Sequence, residues 1–194
     1  MAEVSKSGAF GVLGAVGFMP DAFARELDAL DREADGKPYG VDVVMPARDQ
    51  WTGETNPQTL LHKLRAQVPI ESVEFVKRLL AEHGVPELPP GEQHEGEFLI
   101  RSTAATARRH VDIALEHEQV RMIASALGPL PPDVRDQVHA AGRLIAGMCG
   151  DPAHARKHVT GGADVIVAQG SEGGGHASSI GSIVLWPEVV EAVH

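Results

Sequence analysis

The sequence predicts an α/β fold in which helices alternate with the strands of a parallel sheet. Five short apolar runs, most of them rich in β-branched residues, are typical of buried strands. Segments with helical periodicity or helix-capping residues separate these runs, and the connections are short. The alternation indicates β/α units, and the pattern alone fits an open doubly wound sheet or a (β/α) barrel. The five runs are residues 10–15, 39–45, 119–126, 143–148 and 163–168.

Helix signals fall between these strands. Phe23, Leu27 and Leu30 recur at helical spacing in the first long helical segment. Asp151 can cap the helix that precedes the last strand, and Pro152 suits its first position. The predicted helices span residues 2–6, 20–35, 102–116, 131–141, 151–160 and 187–194.

Residues 47–100 interrupt the alternation. Two short helices are predicted there, at about residues 57–67 and 69–83, and residues 87–96 are rich in proline, glycine and charge, as in a loop. No buried strand is predicted in this segment. We therefore interpret it as an insertion within a single domain of residues 1–194.

Composition favours a globular protein of the cytoplasm. The chain has 194 residues, 43% of them apolar, and a net charge of −10 from 17 basic and 27 acidic side chains. An acidic chain without a Lys/Arg cluster argues against nucleic acid or an anionic membrane surface as a partner. The lone Cys149 has small and apolar neighbours, which indicates a buried structural thiol in a reducing compartment. Neither a membrane span nor a signal-peptide core is evident.

The last predicted strand opens into a glycine-rich loop that ends at His176. Three consecutive glycines, residues 173–175, let the backbone approach a flat ring or a phosphate. Gln169 can donate to and accept from a heteroaromatic edge, and His176 can act as a general base or a hydrogen-bond donor. The alternative is a mobile surface loop with a solvated histidine. The glycine spacing matches neither a dinucleotide fingerprint nor a P-loop.

Three other positions carry polar groups of interest. Asp42 lies within an apolar strand, where a carboxylate requires either a functional role or a local buried network. Ser125 ends the third strand and faces either the site or the core. His154 and His158 share a helix face, as in some zinc sites, but no third ligand is apparent. We favour a solvated helix face for both histidines and predict no metal site.

Several segments are similar to one family. The sequence contains AQGSEGGGH, preceded by HARKHVTGGADVIV and followed by LWPEVVEAV, and it also contains VSKSGAFGVLGAVGF and PYGVDVVMPA. Together these segments resemble the FMN-dependent nitronate monooxygenase family, formerly called 2-nitropropane dioxygenases. The resemblance covers nearly the whole chain and is looser over residues 47–96.

The resemblance implies a (β/α)8 barrel that holds FMN at the carboxyl ends of its strands. His176 matches the active-site histidine of the family. Gln169 and Gly174 match residues that contact the flavin, with Gly175 beside them, and Asp42 matches a position that is often a flavin-contacting Asn. We add Ser125 as a further candidate for cofactor binding. The family usually has Ala at the position of Gly173, so the glycine is expected to loosen the loop.

By the same resemblance, the five strands correspond to the second to sixth of eight. The family's first strand would precede Met1. Its seventh and eighth strands, which carry the segments that hold the FMN phosphate, would follow His194. We therefore expect a partial barrel from a longer enzyme, and we expect the chain as given to be inactive and to bind FMN weakly.

The activity implied by the resemblance is the oxidation of an alkyl nitronate, or nitroalkane, by O2 to a carbonyl compound and nitrite. One alternative is an NAD(P)H-dependent flavin reductase, acting on enoyl-acyl-carrier protein or on a quinone, which uses the same scaffold. A second alternative is a non-catalytic remnant that serves as an interaction module.

Overall fold

A computed structural model of the chain describes residues 1–46, 56–86 and 101–194. Its centre is a five-stranded sheet with all neighbouring strands parallel and with the strands in sequence order. A doubly wound sheet reverses its strand order at a switch point, whereas a (β/α) barrel keeps it, so this order is that of a barrel segment. The predicted fold class is thus confirmed. The strands are β1 (Gly11–Gly14), β2 (Tyr39–Val43), β3 (Val120–Ser125), β4 (Leu144–Cys149) and β5 (Val165–Ala168).

Helices connect the strands, and side chains cap two of them, at Thr103 and at the predicted Asp151. The Oγ1 of Thr103 accepts a hydrogen bond from the backbone N–H of Thr106 at 3.2 Å, and the Oδ1 of Asp151 accepts one from Ala153 at 2.6 Å. The helices are α1 (Ala2–Lys6), α2 (Pro20–Glu33), α3 (Pro57–Arg65), α4 (Ile70–Glu82), α5 (Ala104–Glu116), α6 (Pro132–Ala140), α7 (Pro152–Thr160) and α8 (Ser182–Val193), with a 3₁₀ turn at Ala15–Gly17.

The last helix begins five residues earlier than the sequence predicts. A start at Pro187 suits the residue's lack of an N–H, but α8 starts at Ser182 and contains the proline. The turn before Pro187 carries Leu185, and the turn after it carries Val189, and both side chains are buried. They pack with Cys149 of β4, so tertiary burial outweighs the hydrogen bond that the proline removes.

One face of the sheet packs against helices. The alternate strand residues Val41, Ile123 and Ile145 are at most 3% exposed and share a core with α2, α5 and α6. The helix residues in this core include Phe23, Leu27, Val111, Ile113, Val134 and Val138. Ile166 and Ala168 of β5 face the same side and pack on the second cluster, around Leu185. The opposite face of the sheet is the inner wall of the barrel segment.

The amino ends of β2 and β3 are joined through Asp31 of α2. Its Oδ1 accepts a hydrogen bond from Tyr39 Oη at 2.7 Å, and its Oδ2 lies 2.7 Å from the Nδ1 of His117. The side chain of Gln119 donates to the backbone carbonyl of Asp31 at 3.1 Å. Residues at the amino end of a barrel ordinarily contribute to stability and not to the site. We therefore assign the polar groups of this cluster to the stability of the fold.

Residues 51–100 form a compact unit of their own, and residues 1–50 and 101–194 form the other. The described part of the smaller unit contains α3 and α4. Helix α4 buries none of its side chains and exposes Ile70 and Phe75, at 63% and 57%. The loop predicted at residues 87–96 lies outside the described residues, and the interpretation of residues 47–100 as an insertion stays a prediction. Within the described ranges, no helix is long and apolar enough to cross a bilayer.

Candidate active site

Small residues flank Asp42 on the inner wall. Strand register places one residue from each strand in a row across this wall, and the two residues beside Asp42, Gly14 on β1 and Ala124 on β3, carry at most a methyl group. The row continues through Ala146 to Val165. Because side chains alternate between the two faces of a strand, these small residues share the inner face with the Asp42 side chain, and a Cβ on Gly14 would meet no atom within 4 Å.

The Asp42 carboxyl group is partly unsatisfied. Its Oδ1 is buried and has no hydrogen-bond partner among the residues that the structure describes. Burial disfavours the charged form and raises the pKa of Asp42 to about 6. The structure therefore shows no local network that would satisfy this oxygen, and the group is available to a polar ligand atom on the inner wall.

The glycine-rich loop leaves the carboxyl end of β5 and is fixed at its base. The N–H of Gln169 donates to the carbonyl of Cys149 at 2.9 Å, and the N–H of Ser171 donates to that of Ile180 at 2.8 Å. The Ser178 hydroxyl donates to the carbonyl of Gly150 and accepts from the N–H of Ile180. These bonds join both ends of the loop to β4 and to each other.

Glu172 attaches the loop to the start of α8. Both of its carboxylate oxygens accept from the backbone N–H of Ser182 at 3.1 Å. A Cβ on Gly170 would overlap with the Glu172 carboxylate and with Ser182, so only glycine fits beneath this contact. The hydrogen bonds from the side chain and backbone of Ser182 lower the pKa of Glu172. A fixed anion is therefore held at a helix N-terminus.

The tip of the loop is open to approach. A Cβ built on Gly174 or Gly175 meets no atom within 4 Å, and Gly175 has a φ of +73°, a conformation that favours glycine. His176 is exposed and makes no hydrogen bond with any described residue. The Gln169 amide folds back over the loop and donates to the carbonyl of Gly174 at 3.0 Å. The tip thus offers bare backbone, an amide and a free imidazole.

The structure groups some of the predicted site residues and separates others. Gln169, Gly174, Gly175 and His176 all lie in one loop. Asp42 lies on the inner wall in β2, three strands away from β5, after which the loop begins. This separation is about 14 Å at the usual strand spacing of about 4.8 Å. A site that uses both Asp42 and the glycine loop must extend along the inner wall.

Ser125 lies on the helix-facing side of the sheet. Its register neighbour Gly147 packs against a helix, and Ser125 is 1% exposed. Its hydroxyl donates to the carbonyl of Gly128 at 2.6 Å, which closes the turn after β3. Cofactor binding by Ser125 stays a prediction, and the contact that the structure shows is with this turn.

The prediction of a solvated face on α7 is right for His154 and wrong for His158. His154 is exposed, whereas His158 is 2% exposed and its Nε2 lies 3.0 Å from the carbonyl of Met148, to which it can donate. Gly147 makes this packing feasible, because a Cβ there would overlap with the imidazole ring. Burial also lowers the pKa of His158. Among the described residues, no three His, Cys, Asp or Glu side chains form a group that could hold a metal.

Two side chains that support the loop are not evident from the sequence. Glu172 caps α8, and Trp186 donates from its Nε1 to the carbonyl of Ala168 at 3.1 Å, at the end of β5. The role of Glu172 could not be predicted from a helix that begins at Pro187, because such a helix has no unpaired N–H at Ser182. An acidic residue ten positions before that N–H is the signal that a correct boundary would have revealed.

Comparison with known proteins gives the same family as the motifs. The family model for nitronate monooxygenase matches residues 1–194. A protein of Mycobacterium tuberculosis that is named a monooxygenase is 37% identical over 193 residues, which cover 100% of this chain and 51% of that protein. The chain thus spans about half the length of this relative.

Solved structures share the fold. The nitroalkane oxidase of Streptomyces ansochromogenes aligns with a TM-score of 0.66 and 26% identity over 99% of this chain and 51% of that chain. A mutant of FabK from Thermotoga maritima aligns with a TM-score of 0.64 and 20% identity over 100% of this chain and 45% of that chain, which shows the fold alone. The family match confirms the resemblance found in the sequence: the chain belongs to the nitronate monooxygenase family.

Proposed function

We propose that the protein oxidises nitro compounds, as alkyl nitronates or nitroalkanes, with a bound flavin and O2. The observation that carries the proposal is the inner wall itself. On β2 it carries the buried, unsatisfied Oδ1 of Asp42, and its last strand, β5, leads into the glycine loop with its open tip. Family membership and the likeness to a nitroalkane oxidase support the same activity.

The residues on the wall fit the ring of a flavin. Gly14, Ala124 and Ala146 bring at most a methyl group to the inner face, so no large side chain of this row would project into a flat heteroaromatic ring placed along it. The ring has polar atoms along its edge, for which Asp42 and the Gln169 amide are the proposed partners. By the family resemblance the cofactor is FMN, and its phosphate is assigned to segments like the seventh and eighth barrel strands.

His176 is the proposed group that handles the substrate. Its exposed imidazole stands beside two glycines with no side chains, so an anionic nitronate can approach and accept a hydrogen bond from the ring. For a neutral nitroalkane, the neutral imidazole can remove the α-proton as a general base. A bound flavin supplies the redox chemistry, by which electrons pass from the nitronate to O2 and a carbonyl compound and nitrite are released.

The proposal is tested by replacing His176 with Asn in the protein as its gene encodes it. A positioned general base contributes about 10²–10⁴-fold, so nitroalkane turnover should fall by at least ~100-fold. Nitronate turnover, which needs no proton removal, should change mainly through KM. His154→Asn, at an exposed position on α7, is the matched control and should leave both rates unchanged. Unchanged turnover of both substrates in His176→Asn would show that the role given to His176 is wrong.

The reductase alternative is separated by one further experiment. Anaerobic mixing of the flavin-loaded protein with NADH or NADPH should leave the flavin absorbance unchanged on the timescale of turnover. Rapid bleaching by either nucleotide would favour a reductase instead.

A further inference from the structure

Resting on the proposed flavin site, we infer that Gly173 sets the affinity for the flavin by giving the Gln169 amide a resting position away from the inner wall. Gln169 directly follows Ala168, the last residue of β5, so it lies where the sheet leads into the loop. Instead of extending over the wall, the amide folds back and donates to the carbonyl of Gly174 at 3.0 Å. The amide is thus engaged by its own loop.

This resting position exists only because residue 173 has no side chain. A Cβ on Gly173 would lie 2.8 Å from the Cγ and 2.9 Å from the Cδ of Gln169, and it would overlap with the amide nitrogen. These separations are shorter than van der Waals contact, so an alanine at this position would displace the amide. Because the Gln169 side chain is flexible, it can rotate away while the backbone stays in place.

The backbone itself does not require glycine at this position. Gly175 has a φ of +73°, whereas Gly173 lies outside the left-handed region and can take a side chain without backbone strain. The N–H of Gly173 donates to the carbonyl of Gly170 at 3.0 Å, and an alanine would keep that bond. The contact with the Gln169 amide is therefore what distinguishes glycine from alanine here.

A flavin must compete with this internal hydrogen bond. The amide can reach a ring on the wall only after it leaves the Gly174 carbonyl, so binding draws on the fraction of protein in which the amide is free. A neutral hydrogen bond of ordinary net strength lowers that fraction, and hence the apparent affinity, by about two- to tenfold. Gly173 is then a positioning residue that weakens flavin binding through Gln169.

The test compares flavin affinity in Gly173→Ala, Gly174→Ala and the wild type, all as the gene encodes the protein, by titration of FMN fluorescence. Gly173→Ala should bind FMN about two- to tenfold more tightly, since the resting position is filled. Gly174→Ala adds the same methyl group one residue later, in open space, and leaves the Gln169 bond intact, so it should not bind more tightly. In a Gln169→Ala background, Gly173→Ala should have no effect on affinity.

A second readout needs no flavin. In the ligand-free protein, the side-chain amide protons of Gln169 should show the NMR shift and slow exchange of a hydrogen-bonded group in the wild type and in Gly174→Ala. In Gly173→Ala they should show the values of a free amide. A free amide in the wild type, or equal or weaker FMN binding by Gly173→Ala, would overturn this inference alone. Absence of FMN binding from the wild type and every variant would overturn the proposed function, and the inference with it.

Discussion

Both carboxylate oxygens of Glu172 accept a hydrogen bond from the backbone N–H of Ser182, each at 3.1 Å. The acid belongs to the glycine loop and the N–H belongs to the first residue of α8. Their contact therefore couples the loop to a helix that is packed on β4 and β5. The position of the loop tip, and of His176 within it, depends on an interaction four residues away.

Replacing Glu172 with Ala should loosen the loop while the sheet stays folded. Without the carboxylate, the N–H of Ser182 loses its acceptor, and hydrogen exchange at that amide should become several-fold faster. Glu172→Gln keeps a neutral acceptor and should lie between the two. Exchange in the strands, for example at Ile123, is the internal reference. An unchanged exchange rate at Ser182 in Glu172→Ala would contradict the coupling.

The same contact predicts a dependence on acidity. The folded-state pKa of Glu172 is lowered, chiefly by the hydrogen bond from the Ser182 side chain, so its stabilisation is complete above the ordinary value of 4.5. The stabilisation is lost as the pH falls through the lower folded value. Exchange at Ser182, corrected for intrinsic rates, should therefore accelerate in that acidic range. Glu172→Gln should remove this acceleration, and its persistence there would assign it to another group.

Asp42 should lower the stability of the protein at neutral pH. Burial raises its pKa from 3.8 to about 6, so the folded state holds this proton more strongly than the unfolded state does. The free energy of unfolding therefore falls as the pH rises from about 4 to about 6. At about 1.4 kcal/mol for each pKa unit, the full effect is about 3 kcal/mol.

Urea unfolding of Asp42→Asn across pH 4 to 8 measures this effect. The variant should lack the decline and should be more stable than the wild type at pH 8. Asp28→Asn, at an exposed position on α2, should keep the decline. A variant that is less stable than the wild type at pH 8 would mean that Asp42 has a satisfying partner in the folded protein.

Gly147 should tolerate no side chain. A Cβ there would overlap with the buried ring of His158, so Gly147→Ala should lower the free energy of unfolding by about 1–3 kcal/mol. Gly14→Ala is the control, since its Cβ meets no atom within 4 Å on a strand of the same sheet. Adding His158→Ala to Gly147→Ala should cost less than the sum of the two single effects, because the ring that clashes is gone. Additive costs would contradict the packing.

The sequence predicted the strands well because each is a short apolar run between turn-forming residues. Alternate residues are buried on the helix side in Tyr39–Val43 and Leu144–Cys149, and local composition is enough to predict both strands. The start of α8 was missed because it depends on the burial of Leu185 and Val189, which is a tertiary effect.

The candidate site could be predicted in part for the same reason. A glycine run after a buried strand and an acid inside one are local signals, so the loop and Asp42 were identified. The burial of His158 depends on the absence of a Cβ at Gly147, on another element. The resting position of the Gln169 amide depends on a hydrogen bond that residue spacing does not show.

We propose that the inner wall and the glycine tip hold a flavin, and the absorbance spectrum of the purified protein tests this most directly. Gly174→Leu places a large side chain in the open space at the tip without a clash within 4 Å of its Cβ. Ala140→Leu adds the same side chain at the exposed end of α6. All three proteins should show the same far-ultraviolet circular dichroism.

After addition of FMN and removal of the excess, the wild type and Ala140→Leu should retain a flavin band in the blue region, and Gly174→Leu should lose it. A wild-type protein that retains no flavin, or a Gly174→Leu protein that retains as much as the wild type, would contradict flavin binding at the inner wall and the glycine tip.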